Sequence, residues 1–135
     1  MDAAGKAAMA IKILLVDDNP TFVAAVSAFL EQVPGVLVVG HAADGREGLT
    51  QIELLKPDLV LLDIAMPEMN GLEMAARLRG QAECPRLVFL SMHDSGGYHM
   101  AAHGLGASFV NKANFVDGLL PIITEMQQDR QDSQD

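Results

Sequence analysis

The stretch IKILLVDDNP, residues 11–20, runs from an apolar segment into two adjacent aspartates and then Asn19-Pro20. Ile11 to Val16 has the length of a strand and the branched side chains that pack on a pleated surface. It lacks the polar alternation of a strand with one wet face, so both faces are expected to be covered, as in a parallel sheet. Asn19 suits a helix N-cap, and Pro20 suits the first helical position, where its missing N–H costs nothing. The segment reads as strand, acidic turn, helix. Asp17 and Asp18 then pose a problem, because two like charges at the end of an oily run need a positive partner.

The same unit recurs along the chain. Apolar runs at 36–41, 58–63, 86–91 and 107–111 read as four more strands. Phe22, Val26, Phe29, Leu30 and Val33 recur at helical spacing until Pro34-Gly35. Asp44 with Glu47, and Asn70 with Glu73, are capping-box patterns that open a second and a third helix. A fourth helix near 95–104 is weakened by Gly96, Gly97 and Gly104, each costing about 1 kcal/mol against alanine in a helix interior. A fifth near 115–128 contains Pro121, so either Asp117 is its true cap or the helix kinks. Five strands alternating with five helices make a doubly wound α/β fold with a five-stranded parallel sheet. Such sheets place their functional crevice at the carboxyl ends of the strands.

A chain of 135 residues, half of them hydrophobic, is expected to form one globular domain. Residues 1–10 read as an N-terminal extension, 11–127 as the domain, and 128–135 as a polar tail, frayed or opening a linker. No apolar run reaches membrane-span length, and the N-terminus lacks the apolar core of a signal peptide. A single cysteine, Cys84, fits a reducing compartment, so a cytoplasmic location is expected. The formal charge of −9 disfavours direct nucleic-acid binding but not a cation.

The strand ends carry the chemistry. The first ends in Asp17-Asp18, the third in Asp63, the fourth in Ser91, and the fifth in Asn111 followed by Lys112. If the first and third strands are neighbours, three carboxylates converge, which is unstable without a cation or shared protons. Mg²⁺ is the expected ion, a hard cation that uses one or two carboxylates, waters and a phosphate. Lys112 and Ser91 would add a fixed positive charge and a hydroxyl for a phosphoryl group.

The pieces LLVDDNP, DLVLLDIAMPEMNGLE, LSMHD and FVNK, in this order, resemble the receiver domain of two-component response regulators over residues 11–127. LSMHD, and alanine after Lys112, resemble receivers of the LuxR/NarL type, which usually precede a helix-turn-helix domain. The resemblance implies a flavodoxin-like sheet with strand order 2-1-3-4-5. It implies Asp63 as phosphoacceptor (the 4-aspartylphosphate site), and Asp17, Asp18, Asp63 and the backbone carbonyl of Ala65 as Mg²⁺ ligands. Ser91 would be the switch hydroxyl, Lys112 the phosphate-binding lysine and Phe109 the switch aromatic, while Met66-Pro67 and Gly71 shape the loop after the acceptor. The implied partners are a sensor histidine kinase or phosphotransfer protein, and a second copy through the face of helix four, strand five and helix five. It also implies a phosphorelay switch that is not an enzyme. The chain departs from the pattern in the turn at Gly106-Ala107-Ser108, one residue shorter before the aromatic than in most receivers, and in the glycine pair of helix four.

Other readings compete. A Mg²⁺-dependent phosphatase of the haloacid dehalogenase type also uses a strand-end aspartate, but wants an acid two residues later, where Ala65 stands. A flavin-binding protein wants stacking aromatics, and the chain has no tryptophan and one tyrosine. A receiver segment of a longer DNA-binding regulator remains open. His99 and His103 share a helix face but lack the glutamate of a zinc motif, so they, with His93, are expected at a solvated or partner-facing surface. Met66, Met69, Met74 and Met92 are expected to pack, Met92 also limiting access to Asp63.

Overall fold

A computed structural model describes residues 10–66, 69–81, 83–92 and 96–134. The N-terminal extension apart from Ala10, and Pro67 and His93, lie outside the described residues. Five strands, β1 (Ile11–Val16), β2 (Val36–Ala42), β3 (Leu59–Asp63), β4 (Arg86–Ser91) and β5 (Ser108–Asn111), alternate with five α-helices. The helices are α1 (Pro20–Glu31), α2 (Gly45–Leu55), α3 (Gly71–Arg79), α4 (Gly96–Gly104) and α5 (Phe115–Gln134). The sheet is parallel throughout, with order β2-β1-β3-β4-β5. This is the flavodoxin-like topology expected.

The period-two rule divides the core. Ile11, Ile13 and Leu15 of β1, with Leu59 and Leu61 of β3, face α1 and α5, where Val26, Leu30, Leu119 and Ile123 are buried. Leu14, Val16, Val60 and Leu62 point the other way, onto Ile52, Met74 and Leu78 of α2 and α3. Near-continuous apolar strands are therefore a consequence of two covered faces.

The caps form as the residue types require. Asn19 Oδ1 accepts the N–H groups of Thr21 and Phe22 at 3.0 and 3.2 Å. Asp44 and Asn70 each accept from the glutamate three residues on, both at 2.9 Å. Gly71 opens α3 directly against β3, where a Cβ would strike the carbonyl oxygen of Asp63. The shortened turn before β5 is made by Gly106 in the left-handed region, at φ +70°. The β4–β5 register is regular despite it, with Phe89 beside Phe109 and Ser91 beside Asn111.

Two expectations are corrected. Asp117 is not the cap of the last helix, because a 3₁₀ turn over Lys112–Asn114 leads into α5 at Phe115 and Pro121 sits inside the helix. The polar stretch after 127 is helical rather than irregular, since α5 continues to Gln134. Polar composition hid what holds it. Arg130 pairs with Asp58 at 3.0 Å and donates to the carbonyl of Ala10 at 2.8 Å, while Gln127 donates to the carbonyl of Pro34 at 2.9 Å.

Candidate functional site at the carboxyl edge of the sheet

Buried polar groups locate the site. Among the described residues, the buried polar or charged side chains are Asp17 (6% exposed), Asp63 (6%), Ser91 (2%) and Lys112 (9%). All four stand at the carboxyl ends of β1, β3, β4 and β5. A charge costs several kcal/mol to bury without a partner, so three charged groups and a hydroxyl buried together mark a site rather than a core.

The parallel pairing of β1 with β3 brings the acidic residues together. Asp17, Asp18 and Asp63 each offer a carboxylate oxygen, and these atoms lie within 4.8 Å of one another. Lys112 enters from the carboxyl end of β5, with Nζ 2.7 Å from Asp17 Oδ2 and 3.3 Å from Asp63 Oδ2. No hydrogen-bond donor is aligned on buried Asp17 Oδ2, so the ammonium holds it as an ion pair only. The other Asp17 oxygen accepts the N–H of Asn19 at 2.8 Å, which fixes the turn into α1. Asp63 Oδ1 accepts the N–H of Ala65 at 3.1 Å. Asp18 is exposed at the rim.

Burial pushes the Asp63 carboxyl above its ordinary range, and the Asp17 charge pushes the same way. Lys112 and the Ala65 N–H oppose both without cancelling them. Three carboxylates against one ammonium leave a local excess of negative charge when all are ionised. The donor set fits Mg²⁺, because all the available atoms are hard oxygens. An octahedral ion with bonds near 2.1 Å spans oxygens roughly 3–4 Å apart, close to the span of this cluster.

Ser91 is buried beside Asn111, in register with the strand that delivers Lys112. Phe109 is half-buried, and the His99 ring lies against it with centroids 4.1 Å apart. Met66, Met69 and Met74 are buried as expected. Met92 is not packed, being 65% exposed where the chain leaves β4. Sequence reasoning missed two neighbours of the site. His99 was placed only on a surface, and Phe22 only on the apolar face of α1, yet the Phe22 ring lies 4.5 Å from Lys112 Nζ. Helical spacing assigns Phe22 to a core face; it does not show that this face ends under a lysine 90 residues away.

Comparison with known proteins decides the family. Residues 13–123 match the family model of the response regulator receiver domain. The chain belongs to the response regulator receiver family. The receiver is 40% identical over 95 residues to a protein-glutamate methylesterase/protein-glutamine glutaminase of Desulfotalea psychrophila, covering 70% of this chain and 26% of that protein. It is 42% identical over 80 residues to the nitrate/nitrite response regulator NarL of Escherichia coli, covering 59% of this chain and 37% of that one. Among solved structures, the signal receiver domain of a NarL response regulator from Mycobacterium tuberculosis superposes with a TM-score of 0.77 at 32% identity, covering 85% of this chain and 97% of that one. The NarL resemblance read from the motifs is thus met in sequence and in structure.

The expectation that the chain is not an enzyme is overturned. Several relatives matched by the receiver carry the name of an enzyme, protein-glutamate methylesterase/protein-glutamine glutaminase. The motifs that implied a non-enzyme all lie within the receiver, whereas the receiver spans about a quarter of the length of those proteins. Among the described residues, no helix is long and apolar enough to cross a membrane.

Proposed function

We propose that the receiver accepts a phosphoryl group on Asp63 from a phosphohistidine of a sensor kinase or phosphotransfer protein. The observation that carries this reading is the buried constellation at the strand ends, with Lys112 between Asp17 and Asp63. Asp63 is the nucleophile, approaching phosphorus in line with the leaving nitrogen. Lys112 and Ser91 bind equatorial oxygens of the phosphoryl group, where negative charge is greatest. Asp17, Asp18, Asp63 and the carbonyl of Ala65 would hold Mg²⁺, which supplies charge neutralisation when bound. The Ala65 N–H keeps Asp63 Oδ1 oriented and leaves Oδ2 toward Lys112.

Phosphorylation biases a two-state equilibrium. Ser91 moves toward the phosphoryl oxygens, Phe109 turns into the space it leaves, and the face of α4, β5 and α5 repacks to bind a second copy or an effector. The setting is the cytoplasm, where kinase and receiver meet.

Incubation with acetyl phosphate and Mg²⁺, read by intact mass, tests the reading. The wild-type chain is expected to gain one phosphoryl group, with none gained in chelator and none by Asp63→Asn. Equal uptake by Asp63→Asn would refute the assignment.

A further inference from the structure

We infer that Phe22 is a positioning residue for phosphoryl transfer, its ring face holding the Lys112 ammonium at the mouth of the acidic pocket. The inference rests on the reading of Lys112 as the phosphate-binding lysine and goes beyond it.

Lys112 Nζ lies over the Phe22 ring, 4.5 Å from its centroid. That is inside the roughly 6 Å within which a cation is drawn to the negative face of an aromatic ring. The ring is held from both ends. Its backbone N–H is capped by Asn19, in the turn that follows Asp17-Asp18. Its other side meets Phe115 edge-to-face at 5.5 Å and 81°, and Phe115 meets Phe29 the same way at 5.8 Å and 74°. Edge-to-face pairs favour a fixed ring orientation. Phe115 begins α5 directly after the 3₁₀ turn that starts at Lys112. The lysine and the ring that braces Phe22 therefore belong to one short segment.

The chemistry explains why a ring is useful there. Among the described residues, the charged partners of Lys112 are Asp17 and Asp63, at 2.7 and 3.3 Å. Both are also proposed cation ligands, so an ammonium and a hard cation compete for the same oxygens. An aromatic face offers no oxygen lone pair to a hard ion, and its attraction for the ammonium does not depend on the carboxylates. A lysine side chain carries enough rotamer freedom to swing into water once its carboxylates are shared. The Phe22 ring keeps it within reach of a phosphoryl oxygen.

Packing alone would give the ring a different signature, and isosteric fluorination separates the two. Fluorine drains the ring face of negative charge while keeping its shape and apolar character. The full chain would be made with phenylalanine, mono-, di- and trifluorophenylalanine at position 22, and as Phe22→Tyr, Phe22→Leu and Lys112→Ala. Melting temperatures well above the assay temperature would select the folded variants. The initial rate of phosphorylation by acetyl phosphate with Mg²⁺ is expected to fall stepwise along the fluorine series, by roughly two- to thirtyfold in all. Phe22→Tyr should keep the wild-type rate and Phe22→Leu should match the trifluoro variant. Independently of activity, the ε-methylene protons of Lys112 should show an upfield ring-current shift in the metal-free wild type that is lost in Phe22→Leu. If Lys112→Ala is impaired while the fluorine series is flat, Phe22 only packs, and this inference falls while the proposed function stands. If Lys112→Ala phosphorylates at the wild-type rate, the role of Lys112 falls and this inference with it.

Discussion

At the scale of single residues, the site is assembled at a cost to stability, and that cost can be measured. Asp63 has its carboxyl raised above the ordinary range, by burial first and by Asp17 second. The folded state therefore holds the proton more tightly than the unfolded state. The stabilisation this provides is fully present below the ordinary carboxylate pKa and is lost as pH rises through the folded value. In chelator at neutral pH, Asp63→Asn should accordingly melt above wild type, and its advantage should shrink as pH falls toward the ordinary carboxylate range. Thermal scans from pH 4 to pH 7 measure this, and a gain independent of pH would contradict it. Lys112 has the opposite effect. Its removal leaves Asp17 and Asp63 facing each other in a buried pocket, so Lys112→Met should lose about 3 kcal/mol in chelator. Added Mg²⁺ should restore part of the loss, because a cation then replaces the ammonium; urea titrations with and without Mg²⁺ give the comparison. Asp17, Asp18, Asp63, Ser91 and Lys112 were all legible in the sequence, because each closes a strand and strand ends share one edge of a parallel sheet. Phe22 and His99 were not, because their contacts join distant segments and leave no local pattern.

At the scale of elements, α4 is the weakly held part of the fold. Ala102 is the buried side chain in its described portion, while Gly97, His99, Met100 and His103 are exposed. Ala102, with the half-buried Tyr98 packed against the core, offers modest apolar area to oppose the glycine penalties at its ends. The His99 ring against Phe109 ties α4 to β5. The segment leaves Ser91 and returns to Phe109, so both proposed switch residues flank it. Amides across α4 should exchange quickly in the unphosphorylated protein and slow when beryllofluoride and Mg²⁺ mimic the phosphoryl group, while β3 stays protected in both. An α4 that exchanges as slowly as β3, and does not respond to beryllofluoride, would exclude it as the moving part. The weakness of α4 was legible from its glycines. The length of α5 was not, because Pro121 argued for a later start or a kink and the polar residues after 127 for fraying. Arg130 and Gln127 anchor that stretch to groups more than 70 residues away, which no local pattern displays.

At the scale of the whole molecule, the sheet exists to bring four chain segments to one edge. The strand spans were readable to within a residue, because strands covered on both faces are apolar throughout and have abrupt ends. The sheet order was not fixed by pattern; it came from the resemblance and is what makes β1 and β3 neighbours. That neighbourhood ties metal binding to global stability. Mg²⁺ should raise the melting temperature of wild type, by the equivalent of about 2.7 kcal/mol at a hundredfold excess over its Kd. Asp18→Ala should lose this gain yet be no less stable in chelator, since it also relieves repulsion. An unchanged Mg²⁺ response in Asp18→Ala would remove Asp18 from the site. The central claim is that Asp63, alone among the clustered carboxylates, takes the phosphoryl group. Its most direct test is to phosphorylate the chain with acetyl phosphate, trap the acyl phosphate with borohydride, which reduces that side chain to homoserine, and map the change by peptide mass. The account predicts homoserine at position 63 and at no other position; homoserine at 17 or 18 with Asp63 intact would contradict it.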